Sequence, residues 1–231
     1  MGMLDTSEIQ KKRLYLLFVL DSSGSMQGAN INAVNTACKE VIESQDLREA
    51  GGADAEIYLN VLEFNNSCNW MYEIPQPIEN FIWKDLIAGG GTSMGESCRE
   101  LSKKLDKSEF LQAPAGLAAP VLMLMSDGAP TDDFATGVLT LKNNKYYKHC
   151  TRFACAVDGA NESVLAEWTG GSVEETVIHA HSPEAIKKWI KVVSIVATKT
   201  ASKTGAASAA TAQDVAVQAL SEELDPNDFE G

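Results

Sequence analysis

Short apolar runs alternate along this chain with longer segments in which apolar residues recur every three or four positions. That alternation predicts strands joined by helical crossovers, hence a mostly parallel sheet covered by helices on both faces. LYLLFVL at 14–20 carries no charge and reads as a central buried strand. Beyond Gly28, Ile31, Val34, Cys38, Val41 and Ile42 fall on one helical face, while Asn32, Lys39, Glu40 and Glu43 fall on the other. AEIYLNVLEF (55–64) and NWMYEI (69–74) are separated by NNSC, a spacing that predicts a hairpin and therefore one antiparallel edge strand.

The same alternation continues downstream. After Pro75 and Pro77 comes DLIAGGGTSMGESCRELSKKL, a glycine-rich approach to a helix with Cys98, Leu101 and Leu105 on its apolar stripe. PVLMLMSDG (120–128) and TRFACAVDG (151–159) are apolar strands that each end in Asp-Gly. Helices are expected at about 132–147 and around 162–168, and a short strand at 175–180. Ser182-Pro183-Glu184 then opens a last long helix, with serine placed to cap and proline pre-set for the first turn, and Ile186, Trp189, Ile190 and Val193 as its buried stripe.

Composition sets the boundaries of this reading. Of 231 residues, 45% are hydrophobic, enough for one sizeable α/β domain. Residues 12–198 are assigned to that domain and 1–11 to an N-terminal extension. The segment 199–231 turns to Ala, Ser and Thr and ends in LSEELDPNDFEG, which reads as an acidic, solvated tail with room for a short helix at 212–224. The excess of 32 Asp and Glu over 19 Lys and Arg gives a net charge of −13, which repels phosphate backbones and anionic membrane surfaces. Neither nucleic acid nor membrane is an expected partner.

The five cysteines form no CxxC pair and are odd in number, which argues against a disulfide framework and a zinc ribbon, and for a reducing, cytoplasmic setting. No apolar stretch is long enough to span a bilayer, and the opening MGMLDTSEIQKKR lacks the apolar core of a signal peptide. MGMLDT fits the loose N-myristoylation pattern, which arises easily by chance and is set aside.

Candidate chemistry gathers where the apolar runs stop. The first strand ends directly in Asp21-Ser22-Ser23-Gly24-Ser25, so oxygen atoms occupy its exit turn. Thr92 follows Gly89-Gly90-Gly91, and Asp127 ends another apolar run. In an open parallel sheet such loops at the carboxyl ends of strands form the binding crevice. Residues 21, 23 and 25 can point the same way from a tight turn, with Gly24 letting the backbone bend, and the three glycines before Thr92 let a second loop approach. Carboxylates and hydroxyls without histidine or thiolate make a hard site that favours Mg²⁺, then Mn²⁺ or Ca²⁺.

DSSGS, the later GGGTS and the apolar strand ending in SDG resemble the von Willebrand factor type A domain and its metal-ion-dependent adhesion site. The pattern DxSxS falls on Asp21, Ser23 and Ser25, the separate threonine on Thr92 and the separate aspartate on Asp127. The resemblance covers roughly residues 12–196 and implies a doubly wound, Rossmann-like sheet. It also implies a non-enzymatic module that binds a protein partner through a held cation. In that family Ser23 and Ser25 would bind the cation directly, Asp21 and Asp127 directly or through water, and Thr92 on engagement, leaving demand for an Asp or Glu from the partner. DSSGSM, FNN, GGGTSMGE and SDGAPTDD look like the bacterial TerY/YegL-type branch associated with tellurium resistance and stress, which implies kinase or phosphatase partners.

His179 and His181 read as structural, Cys150 and Cys155 as packing, Asp132 and Asp133 as favouring the helix that follows them, and Asp158 as either crevice or turn. The alternative function is a Mg²⁺-dependent phosphatase or phosphotransferase of haloacid-dehalogenase type, which also starts from an Asp after a strand. It needs an acid two places on, where this chain has Ser23.

Overall fold

The computed structural model describes residues 11–157, 159–203, 209–224 and 229. Most of the expected N-terminal extension, and Asp158, lie outside the described residues. In chain order the elements are β1 (Lys12–Asp21), α1 (Ala29–Glu43), α2 (Gln45–Arg48), β2 (Ala55–Phe64), β3 (Cys68–Trp70), β4 (Gln76–Pro77) and α3 (Met94–Lys104). There follow β5 (Val121–Ser126), α4 (Phe134–Asn143), β6 (Thr151–Val157), α5 (Glu162–Thr169), α6 (Val173–Thr176), β7 (Val177–Ala180), α7 (Pro183–Lys203) and α8 (Ala209–Glu223).

The sheet order is β3-β2-β1-β5-β6-β7, with β4 also paired to β2. Every pairing is parallel except those of β3 and β4, which run antiparallel to β2. The charge-free run of β1 is buried because the strand is central, with β2 on one side and β5 on the other. Its side chains alternate between two cores. Leu14, Leu16, Phe18 and Leu20 meet α1 and α7 through Ile31, Val34, Cys38, Ile186 and Trp189. Tyr15, Leu17 and Val19 meet α3, α4 and α5 through Met94, Cys98, Leu101, Val138, Leu141 and Trp168. The mostly parallel sheet covered on both faces that the alternation predicts is therefore present, in the doubly wound arrangement that the resemblance implies.

Connectivity makes β1 and β5 special. From β1 the chain builds outward through β2 to the antiparallel edge, then returns to place β5 on the other flank of β1 and builds outward again. Strand order thus reverses between β1 and β5, and the loops leaving their carboxyl ends diverge to leave a crevice.

Two elements depart from the sequence reading. The strand expected at 175–180 begins only at Val177, because 173–176 form one helical turn that starts after Ser172. The described residues of the segment expected to be a solvated tail pack instead. Helix α7 runs on to Lys203, and α8 lays Ala212, Ala216 and Leu220 into the core shared with Ala197 and Ala201 of α7. Gln213 latches α8 to the sheet: its Oε1 accepts the Arg152 N–H at 2.7 Å and its Nε2 donates to the Arg152 C=O at 3.1 Å. The side-chain amide thereby pairs β6 as a strand residue would, at a position beyond the reach of β7.

A carboxylate and hydroxyl crevice at the strand switch

Asp21 closes β1 and is almost wholly buried. Its Oδ1 accepts the Ser23 N–H at 2.7 Å, and its Oδ2 accepts the hydroxyl of Ser126, the last residue of β5. The first bond curls the chain back on itself after the strand, so that Ser23 and Ser25 face the same side. Their hydroxyl oxygens are 3.1 Å apart, and Ser25 Oγ donates to Asp127 Oδ1 at 2.7 Å. Four of the five expected ligands are therefore linked in series, Asp21 to the Ser23 N–H, and the Ser23 hydroxyl to Ser25 to Asp127.

Thr92 reaches this group from the other loop. The loops are knitted by Gly24 N–H donating to Gly90 C=O at 3.0 Å and Gly89 N–H donating to Ser22 C=O at 2.8 Å. The glycine that geometry demands here is Gly90, not Gly24. Gly90 has φ of 81°, and a Cβ on it would strike the Asn66 side chain at 2.5 Å, whereas one on Gly24 would meet nothing closer than 3.4 Å. Gly128 does a different job. A Cβ on it would sit 3.3 Å from Thr92 Oγ1 and 3.9 Å from Ser25 Oγ, so its missing side chain leaves a space with hydroxyls on its walls.

Electrostatics leave the crevice short of positive charge. Burial pushes the Asp21 carboxyl up to about 6, against hydrogen bonds from Ser126 and Ser23 that pull it down, and the like charge of Asp127 pushes the same way as burial. Burial also raises Asp127, opposed by hydrogen bonds from Ser25 and Ser23. No three His, Cys, Asp or Glu side chains gather to hold a metal elsewhere among the described residues. In the crevice itself hydroxyls supply most of the donors, and these oxygens, with the space beside Gly128, fit a hard divalent cation.

Several supporting residues escaped the sequence reading. Ser126 positions Asp21, and Thr131 grips Thr92, accepting its N–H at 2.9 Å and donating its own N–H to its C=O at 3.0 Å. Ser22 turns away from the crevice, donating to Glu63 Oε1 at 2.7 Å and accepting from Asn65 Nδ2 at 3.1 Å. Asp133 caps α4 as expected. Asp132 caps α3 instead: its carboxyl oxygens accept the N–H groups of Gly95 and Glu96 at 2.8 and 2.7 Å and face Arg99 at 3.5 Å. His179 Nδ1 lies 2.8 Å from Glu162 Oε1, and its ring is stacked on His181. The phosphotransferase alternative gains no support: position 23 is a hydroxyl hydrogen-bonded into the crevice, with no acid two residues after Asp21.

The model of the von Willebrand factor type A domain matches residues 16–192. No curated protein matches the chain. Among solved structures, a von Willebrand factor type A protein from Catenulispora acidiphila is 15% identical, with a TM-score of 0.60 over 81% of this chain and 43% of that one. The ArnB paralog VWA2 from Sulfolobus acidocaldarius is 15% identical, with a TM-score of 0.56 over 77% and 44%. Proximal thread matrix protein 1 from the mussel byssus, with a zinc-occupied MIDAS motif, is 15% identical, with a TM-score of 0.57 over 81% and 48%. The chain thus spans less than half the length of each of these structures, and at such identity the likeness is one of fold.

Proposed function

The chain belongs to the von Willebrand factor type A domain family, whose members mediate protein–protein interactions, often through a divalent cation, and from that premise we propose that it is a cation-dependent binding module for a protein partner, without catalytic activity of its own. Asp21, Ser23, Ser25, Thr92 and Asp127 are the proposed ligands. The observation that carries the reading is the hydrogen-bonded series from Asp21 through the Ser23 N–H, and from the Ser23 hydroxyl through Ser25 to Asp127, built at the ends of two strands, with Thr92 facing the space at Gly128.

An all-oxygen donor set favours Mg²⁺ or Mn²⁺, with Ca²⁺ behind them. When bound, the cation supplies a positive centre whose demand for anionic ligands two buried carboxylates do not exhaust. The chain's own part is to orient: Ser126 and the Ser23 N–H fix both oxygens of Asp21, Ser25 fixes Asp127, and Thr131 fixes the loop of Thr92. The partner then contributes an Asp or Glu, and cation and partner bind with positive coupling.

The finer reading is a scaffold or regulator in a bacterial stress or tellurium-resistance type system, with a kinase or phosphatase as partner and a cytoplasmic setting. DSSGSM, GGGTSMGE and SDGAPTDD support it through their likeness to the TerY/YegL-type branch, and all five cysteines are free thiols, as a reducing compartment keeps them. No helix among the described residues is long and apolar enough to cross a membrane. Mn²⁺ paramagnetic relaxation on the parent, Asp21→Ala and Asp127→Ala tests the site. The parent should show a bound ion that both variants lose, and equal binding by all three would overturn the assignment.

A further inference from the structure

Ile87 is the most exposed large apolar side chain among the described residues, at 82%. It lies on the segment 81–93, which contains no helix or strand and ends by delivering Thr92 to the crevice. The segment is nonetheless fixed on both sides of Ile87. Asn35 of α1 grips both backbone groups of Leu86: its Oδ1 accepts the N–H at 2.8 Å and its Nδ2 donates to the C=O at 3.0 Å. On the other side Gly89 and Gly90 are bonded to Ser22 and Gly24 in the turn that bears the crevice serines. Ile87 cannot turn inward without breaking one of these sets, so the fold holds it out in water beside the crevice. A lone exposed aliphatic needs no explanation, but one clamped on the loop that carries a binding residue does.

The charge pattern says what it meets. From Leu86 to Gly95 the sequence LIAGGGTSMG has no charged residue, in a chain that is 22% charged and carries −13 overall. A basic flank on the partner finds no countercharge from Leu86 to Gly95, with Asp85 just before that stretch, and a polar flank leaves Ile87 wet. We infer that Ile87 is the second contact of the crevice's ligand, and that the ligand is a protein segment presenting one carboxylate to the crevice and an aliphatic or aromatic side chain to Ile87. This rests on the cation-dependent reading above and adds the rule by which one acidic segment is chosen over another.

The test is a random peptide library displayed on phage, panned on the full chain with Mn²⁺ and eluted with EDTA, followed by titration of the recovered peptides. They should share one Asp or Glu and an apolar residue at a fixed offset from it. Ile87→Ser should weaken them about tenfold while Ile87→Leu stays within about threefold. Val215→Ser, a control on exposed α8, should bind as the parent does, and Ile87→Ser should keep the parent's melting temperature and Mn²⁺ affinity. Acidic peptides without the apolar partner, or equal binding to Ile87→Ser, overturn the inference and leave the cation reading standing. An absence of EDTA-eluted peptides, or equal binding to Asp21→Ala, overturns both.

Discussion

Thr92 and Thr131 hold each other by two hydrogen bonds, Thr92 N–H to Thr131 Oγ1 at 2.9 Å and Thr131 N–H to Thr92 C=O at 3.0 Å. One residue enters α3 and the other follows β5, so the pair joins the loop of Thr92 to the loop of Asp127. Asp132, next to Thr131, reinforces the junction by capping α3 from the α4 side. The two halves of the crevice are therefore tied directly to each other.

Thr131→Val should remove the hydroxyl acceptor and cost about 1 kcal/mol of stability. It should also weaken Mn²⁺ binding in titration calorimetry, and Thr131→Ser should restore both. A Thr131→Val protein that matches the parent in both measurements would show that the loops are coupled elsewhere.

The crevice should make stability depend on pH in the direction opposite to an ion-paired carboxylate. Asp21 ionises near 3.8 when unfolded and near 6 when folded, because burial disfavours its charge. Between those values the folded state holds the extra proton, so cation-free stability falls as pH rises from about 4 to about 6, by on the order of 2–3 kcal/mol, and is flat above. A divalent cation favours the charged carboxylate and offsets that loss. Thermal melts should show a larger Mn²⁺-induced shift at about pH 7 than at about pH 5. Equal shifts at both would mean that Asp21 is not the group under the cation.

Gly137, in the middle of α4, faces Gly95 at the start of α3 so closely that a Cβ on it would lie 2.3 Å from the Gly95 carbonyl oxygen. Gly137→Ala should therefore force the helices apart, costing about 1–3 kcal/mol as overpacking. Because α3 follows directly from Thr92, Mn²⁺ affinity should fall with it. Urea unfolding and calorimetry on one preparation check both effects, and an unchanged affinity would show that helix spacing does not set the crevice.

Gln213→Ala should leave the N–H and C=O of Arg152 without their partner at the sheet, at a cost of about 1–3 kcal/mol. Ending the chain after Lys203 should cost more, since it also uncovers the surface beneath Ala212, Ala216 and Leu220. Urea midpoints rank the three proteins, and a truncated chain as stable as the parent would show that α8 adds nothing to the fold.

That last result separates what the sequence revealed from what it concealed. The strands were legible because β1, β5 and β6 carry apolar runs buried on both faces, and the crevice because its side chains stand at strand ends in a recognisable spacing. A helix at 212–224 was legible too, but its packing was not, because alanines make up much of its contact face. Large apolar residues are unnecessary there, since α7 offers Ala197 and Ala201 and the helices approach closely. Ser126 and Thr131 were missed for another reason: each acts on a residue distant in sequence, and a serine before an aspartate resembles any turn. Gly137 did carry a signal, since glycine inside a helix marks a close approach more often than an accident.

The hydrogen bond from Ser25 to Asp127 spans 102 positions of the chain. While the protein is being synthesised, the first three hydroxyl and carboxylate groups emerge long before the last one, and they have no crevice until β5 has been inserted beside β1. A partner that reads the assembled crevice consequently ignores nascent and half-folded chains. On the cation-dependent reading proposed above, occupancy is a certificate that the central sheet is complete, issued before any recruitment can begin.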